Sequence, residues 1–284
     1  MDGASLLNIE VLRRQLDTRF FAIGDRLLYL PVVDSTNVLA MQLVHQRLDE
    51  GVVVLADSQT AGKGRQGRQW VDVSGCNVLA STLLRPLFPP HLLLMISSLA
   101  VVDAIAETCG VSTTIKWPND ILVENRKVAG ILIETSHDQT GRTVAILGIG
   151  INVNGHIQEL AEQSQASLVT TATTLETVCG HMVSRETLIA HLLRHIETDY
   201  LALQHEYMST SSISKEQYRP ISRLMRERWR SRLSTLGRTI QVRQGDTLVS
   251  GFAEDVDDNG ELLLRGHSGE LVSITWGDVG YPAG

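Results

Sequence analysis

Gly62, Lys63, Gly64, Arg65, Gln66, Gly67 and Arg68 interleave glycine with fixed positive charge, and Trp70 follows two positions later. Glycine lets a backbone close tightly around a ligand. Lysine and arginine suit carboxylate and phosphate groups, and an indole can cover a flat ring. The segment matches Gly-x-Gly-x-x-Gly at positions 62, 64 and 67, but a dinucleotide site of that kind needs a helix opening at the glycines. The residues that follow, Trp70, Val71, Asp72, Val73, Ser74 and Gly75, carry no helical pattern. The Lys-Ser/Thr ending of a P-loop is also absent. What remains is a flexible cationic loop suited to an anionic ligand. Taken alone, the same residues also fit a solvated surface turn.

Two later segments carry polar residues on strand-like patterns. Lys116, Trp117, Pro118, Asn119 and Asp120 end a strand and turn. Pro118 holds Trp117 extended, and Asn-Asp suits the turn. Lys127 opens the next stretch, residues 127–134, with Gly130 inside it. A strand glycine is unfavourable unless something must approach the backbone closely. Over residues 148–154, alternation puts Ile149, Ile151 and Val153 on one face and Gly148, Gly150, Asn152 and Asn154 on the other. The first face belongs to a core. The second has room for a ligand, with amides to contact it, or for a close-packed helix.

The elements that must position these residues follow from periodicity. Residues 5–19 read as an amphipathic helix bearing Leu6, Leu7, Val11, Leu12 and Leu16. Residues 27–30 form a short strand, and Asp34, Ser35 and Thr36 start a helix. Residues 51–56 and 77–84 are strands flanking a polar loop at 57–76, and 91–108 is a buried helix. The period then changes to two at 113–117, 121–123, 127–134 and 143–153. Residues 155–180 are mixed, and helices cover 184–208 and roughly 221–233. Hairpins beside helices imply an α+β fold, a mixed, mostly antiparallel sheet layered with helices. Beyond Gly237, short strands at 239–243, 248–254, 261–265 and 270–275 suggest a small β-barrel. The division expected is 1–236, including a helical extension at 1–27, and 237–284.

Composition narrows the function. The 284 residues carry 32 acidic and 25 basic side chains, a formal charge of −7, so a broad nucleic-acid surface is disfavoured. Three dispersed cysteines fit a reducing compartment rather than a disulfide framework. No signal peptide is evident. The most apolar helical stretch, 92–106, is interrupted by Ser97, Ser98 and Asp103 and reads as buried rather than membrane-spanning. The cytoplasm is the expected compartment. His191 and His195 lack the Glu of a His-Glu-x-x-His motif and read as a solvated helix face. The arginines of 223–232 read as the polar face of a helix.

Taken together and in order, Asp34 to Asn37, Gln59 to Arg68, Trp70, Lys116 to Asp120, Arg126 to Glu134 and Gly148 to Asn154 resemble the biotin protein ligases. The resemblance is close over about residues 28–154 and looser to the C-terminal module. It implies a class II synthetase-like catalytic domain followed by an SH3-like barrel. It also implies ATP with Mg²⁺, biotin as substrate, and transfer to a biotin carboxyl carrier protein of a biotin-dependent carboxylase. By resemblance, Ser35, Thr36, Asn37, Gln59, Lys63, Gly64, Arg65, Lys127, Gly130, Gly148 and Gly150 serve biotin. Arg65, Arg68, Trp70, Lys116, Asn119, Asp120 and Asn152 serve the nucleotide, and Lys127 and Arg65 are catalytic. No metal ligands are assigned, and Asp120 is a candidate base. A lipoate-type ligase and a non-catalytic biotin-responsive regulator are the alternatives.

This sequence departs from the family at two places. Lys63 stands where many members have Arg, which keeps the charge but loses the bidentate fork. The tail after Asp278 carries no basic residue, so no nucleotide contact is expected from it. Only about 27 residues precede the first matching strand, too few for the helix-turn-helix domain of repressor members, so DNA binding is not expected. Homodimers occur in the family.

Overall fold

The structure, a computed structural model, describes residues 5–45, 49–157, 171–209 and 219–281. Part of the stretch read as mixed, 158–170, and the last three residues lie outside that set.

A seven-stranded sheet has the order β1-β2-β3-β7-β6-β5-β4. Its strands are β1 (Leu27–Val33), β2 (Val53–Gln59), β3 (Asn77–Leu84), β4 (Thr114–Lys116), β5 (Asp120–Val123), β6 (Arg126–His137) and β7 (Thr143–Asn152). Only β1 and β2 run parallel, and the remaining pairs are antiparallel. The expected mixed, mostly antiparallel sheet is therefore present. Helix α2 (Thr36–His45) packs on one face against β2, β3 and β7. On the other face lie α3 (Pro90–Cys109), α5 (Arg185–Ser209) and α6 (Pro220–Arg232), with α4 (Leu175–Cys179) before them in the chain. The main core lies under this second layer.

Local chemistry sets several boundaries. Helix α1 (Ile9–Gln15) is much shorter than the expected 5–19, because Asn8 caps it by accepting from the Val11 N–H. Residues before the cap are extended, with Leu6 exposed and the Leu7 N–H donating to Asp57. Helix α3 opens with Pro90 at its first turn and stops at Gly110, whose φ of 68° suits a left-handed cap. By length and apolar composition this helix could cross a membrane, so Ser97, Ser98 and Asp103 do not by themselves exclude a span. Two-thirds (67%) of its most apolar stretch is nonetheless buried inside the protein, which makes it a core helix.

Strand β2 continues through Asp57, Ser58 and Gln59, which the sequence placed in a loop. A charge at the end of an apolar strand reads as its exit, but Asp57 is fully buried because Arg185 pairs with it at 2.7 Å. His191 and His195 also differ from expectation. Both approach Glu107, at 3.4 and 2.9 Å, so they belong to a half-buried network rather than a solvated face.

The C-terminal strands β8 (Thr239–Gln244), β9 (Thr247–Val256), β10 (Leu262–Arg265), β11 (Leu271–Ile274) and β12 (Asp278–Gly280) form a five-stranded antiparallel sheet. Strand β12 was not foreseen; at three residues it shows no period. This small β module is fastened to the larger layer. Arg226 pairs with Asp258 at 2.7 Å, Arg230 pairs with Asp255, and the Trp117 indole N–H donates to the Gly260 carbonyl at 2.9 Å. The arginines of 223–232 thus lie on a helix, and several meet acids on neighbouring elements.

Candidate functional site

The centre of the seven-stranded sheet is left open by glycine. Gly130 in β6 is the register partner of Gly150 in β7, and Gly148 lies two residues before it. A Cβ at Gly150 would lie 2.5 Å from the Trp70 ring, one at Gly130 about 3.1 Å from it, and one at Gly148 would overlap Asn37 Oδ1. Trp70 therefore lies against bare strand backbone. The face that could have been filled by a packed helix is covered by one indole and by the first residues of α2.

Above this floor is a cavity of about 490 Å³. Ser35, Thr36, Asn37, Gln59, Lys63, Gly64, Arg65, Arg68, Trp70, Lys116, Asn119, Asp120, Lys127, Gly130, Gly148, Gly150 and Asn152 all line it. Every residue assigned from the resemblance to biotin or the nucleotide thus lines one cavity. Asn154, grouped with them on the strand face, does not. It is buried, and its amide exchanges 2.9 Å hydrogen bonds with the Val183 backbone. The strand ends at Asn152, so the alternation no longer applies at 154.

One group of lining residues is uncharged and tightly hydrogen-bonded. The Thr36 N–H and hydroxyl donate to Gln59 Oε1 at 2.8 and 3.1 Å. Ser81 Oγ lies 2.8 Å from Thr36 Oγ1 and 2.6 Å from Asn37 Oδ1. The Asn37 amide donates to Glu134 Oε2 at 2.8 Å. Ser81 and Glu134 were missed as individual contributors. A lone serine inside the apolar run of β3 was the available signal for one, and a carboxylate closing the motif at 134 for the other.

The other group is cationic. Lys63, Arg65, Arg68, Lys116 and Lys127 line the cavity, and Asp120 is the only carboxylate among the described lining residues. The excess of positive charge suits a polyanion. Lys127 Nζ sits 2.6 Å from Asp120 Oδ1 and 5.6 Å from the centre of the Trp70 ring. Its backbone is pinned on the far side, where the Lys127 N–H donates to the Thr171 carbonyl at 2.8 Å. Burial pulls Lys116 below the usual lysine range, opposed chiefly by Asp120. Burial likewise lowers Arg65, against the pull of Asp278 and Asp120.

The glycine loop folds over this group. The Gly64 N–H donates to the Arg68 carbonyl at 2.7 Å, and the Trp70 N–H to the Gly62 carbonyl at 2.9 Å. Gln66 and Gly67, with φ of 57° and 73°, make the reversal. Arg65 donates to Asn119 Oδ1 at 2.7 Å, while the Asn119 amide donates to the Ile131 carbonyl at 2.8 Å. Arg68 reaches Asp278 of β12 at 2.6 Å.

From the tail after Asp278, of which no nucleotide contact was expected, Tyr281 lines the cavity, with Lys116 Nζ 5.6 Å from its ring centre. Thr171, Ala172 and Asn125 are further lining residues that no sequence pattern marked. No group of three or more potential metal ligands occurs among the described residues. Asp120, the carboxylate among the described lining residues, could meet a magnesium ion otherwise held by phosphate oxygens and water, which is its common mode.

Residues 29–154 match the model of the Biotin/lipoate A/B protein ligase family, and residues 235–279 match that of the Biotin protein ligase C terminal domain. The bifunctional ligase/repressor BirA of Bacillus subtilis is 35% identical, across 87% of this chain and 71% of that protein. The biotin–[acetyl-CoA-carboxylase] ligase of Paracoccus denitrificans is 34% identical, across 84% and 94%. Among solved structures, the biotin protein ligase of Aquifex aeolicus in complex with biotin and ATP aligns with a TM-score of 0.69 at 26% identity. That alignment covers 89% of this chain and 97% of the other. Similarity of this extent to named ligases, over both the layered sheet and the small β module, establishes that the chain is an enzyme of the biotin protein ligase family.

Proposed function

We propose that this chain uses ATP to activate biotin as biotinyl-AMP in this cavity, releasing pyrophosphate, and then passes the biotinyl group to a lysine of a biotin carboxyl carrier protein, releasing AMP. One observation carries the reading. An uncharged hydrogen-bonding cluster at Thr36, Asn37 and Gln59 and a cationic cluster at Arg65, Lys116 and Lys127 open into one cavity floored by glycine and Trp70. A ring with paired donors and acceptors suits the first cluster, and a carboxylate meeting a phosphate suits the second.

The first step brings two anions together. At ~4 Å, two unit charges repel by ~4 kcal/mol at an effective dielectric of 20, which slows a reaction by about three powers of ten. Lys127, Arg65 and Lys116 cancel this repulsion. Lys127 moves its hydrogen bond from Asp120 to the incoming anions. Arg65, held on Asn119, brings the loop over them. Mg²⁺ arriving with ATP supplies further screening of the phosphates. Trp70 covers the nucleotide, and the ordered loop keeps water from the mixed anhydride. In the second step an uncharged amine is needed, although a free lysine titrates near ~10.4. Asp120 is engaged by Lys127 at 2.6 Å, so as a candidate base it could reach the acceptor amine only once Lys127 has turned away.

Residues 1–236 would perform this chemistry, and the module at 237–284 would buttress the loop. Incubation with MgATP and a carrier domain, with biotin or lipoate in parallel, tests the reading. Pyrophosphate release and a single biotinylated lysine are expected with biotin. Product with lipoate alone would reassign the substrate. Ligand binding without pyrophosphate release would leave a regulator.

A further inference from the structure

We propose that Glu134 is a positioning residue that ties closure of the glycine loop to the orientation of the Asn37 amide. The proposal deepens the function given above and rests on its placement of the biotin head group beside Thr36, Asn37 and Gln59.

The two oxygens of Glu134 face different parts of the site. Oε1 pairs with Lys63 of the loop at 3.2 Å, and Oε2 accepts from the Asn37 amide at 2.8 Å. A carboxylate only accepts. Asn37 must therefore present its NH₂ to Glu134, which turns Oδ1 toward Ser81 and the bare backbone of Gly148. An amide whose two ends look alike in shape is thereby set in one direction.

The glycine just before Lys63 approaches the same cluster. A Cβ at Gly62 would lie 3.0 Å from Gln59 Nε2, and Gln59 holds Thr36. Gly62 and Lys63, adjacent at the start of the loop, thus meet the two ends of the chain Glu134, Asn37, Ser81, Thr36 and Gln59.

An exposed Lys–Glu pair is ordinarily weak, and Lys63 and Glu134 side chains are 45% and 33% exposed. This pair differs because Asn37, at 4% exposure, holds the second oxygen and fixes the carboxylate. The loop therefore closes onto an anchored acceptor. The lysine at position 63 makes this a single-point contact, which a carboxylate already occupied at one oxygen can satisfy.

The experiment measures amide hydrogen exchange of residues 62–70, with and without biotin, in the full chain. Biotin should slow that exchange in the wild type. Glu134→Gln keeps an acceptor for Asn37 but loses the ion pair, and Lys63→Met loses the same pair from the other side. Each should speed loop exchange by about two- to fivefold, and biotin should no longer slow it fully. The double variant should be no faster than the faster single variant, and Lys63→Arg should restore wild-type protection. A purely structural defect would instead lower the melting temperature and spread faster exchange beyond the loop. Unchanged loop exchange in Glu134→Gln, or additive effects in the double variant, would overturn the proposal. Faster exchange in ligand-free variants of a protein that makes no biotinyl-adenylate would overturn the substrate reading and leave the link between Glu134 and the loop standing.

Discussion

Lys127 and Asp120 face each other at 2.6 Å across neighbouring strands, where a register shift between Ile121 and Leu122 interrupts the β5–β6 ladder. The ammonium is thus held at the cavity by a half-buried carboxylate. Lys127→Met should slow adenylate formation by roughly two to three powers of ten, the size of the uncancelled repulsion. Asp120→Asn should cost about tenfold, because Lys127 keeps its charge but loses its rest position. Single-turnover pyrophosphate release compares the two, and an equal loss would refute this division of roles.

Gly150→Ala should displace Trp70, since the new methyl would lie 2.5 Å from its ring. Overpacking of this kind costs about 1–3 kcal/mol. The KM for ATP should rise more than that for biotin, and denaturant titration would record the lost stability.

Arg65→Gly should let the activated intermediate escape, because the Arg65–Asn119 bond of 2.7 Å closes the loop across the cavity. Free biotinyl-adenylate should accumulate in solution. Rapid filtration measures it, and undiminished retention would count against the loop's role.

Acid should expose the Glu107 network. The hydrogen bond from Arg194 holds the Glu107 carboxyl at about 2, down from its ordinary 4.5. Because the folded-state value is depressed, this contribution is complete above about 4.5 and is lost as pH falls toward about 2. Glu107 is partly exposed, so solvent screening limits the effect to roughly 1 kcal/mol. Melting curves of Glu107→Gln should converge with wild type at low pH and fall below it at neutral pH.

Arg185→Met should be far more damaging. It would strand Asp57, which is fully buried and also accepts from Leu7 and Tyr29. Removing one partner of such a pair costs about 3–5 kcal/mol. Urea unfolding checks this, and a loss under about 1 kcal/mol would show that Asp57 finds other partners.

The sheet and the cavity floor were legible because β4 to β7 carry a period of two, because β2 and β3 are apolar runs bounded by a polar loop, and because Gly130, Gly148 and Gly150 weaken strands that have no close neighbour. Legibility failed where a partner distant in sequence decides the outcome. Asp57 reads as a loop residue until Arg185 is brought to it from 128 positions away. Glu134 reads as a strand end until Lys63 and Asn37 meet on it. Strand β12 is too short to carry a pattern, so Asp278 and Tyr281 could not be placed at the cavity. The length of α1 was misjudged because the Asn8 cap outweighed the apolar spacing around it.

Arg68 and Asp278 are 210 positions apart, yet they hold one wall of the cavity between them. During synthesis the loop and both sheet lysines leave the ribosome long before β12 exists. A nascent or prematurely terminated chain that lacks residues 278–281 would carry the cationic cluster with that wall missing. Ligation competence would therefore arrive late in translation, and it would report that the small β module had been made and docked.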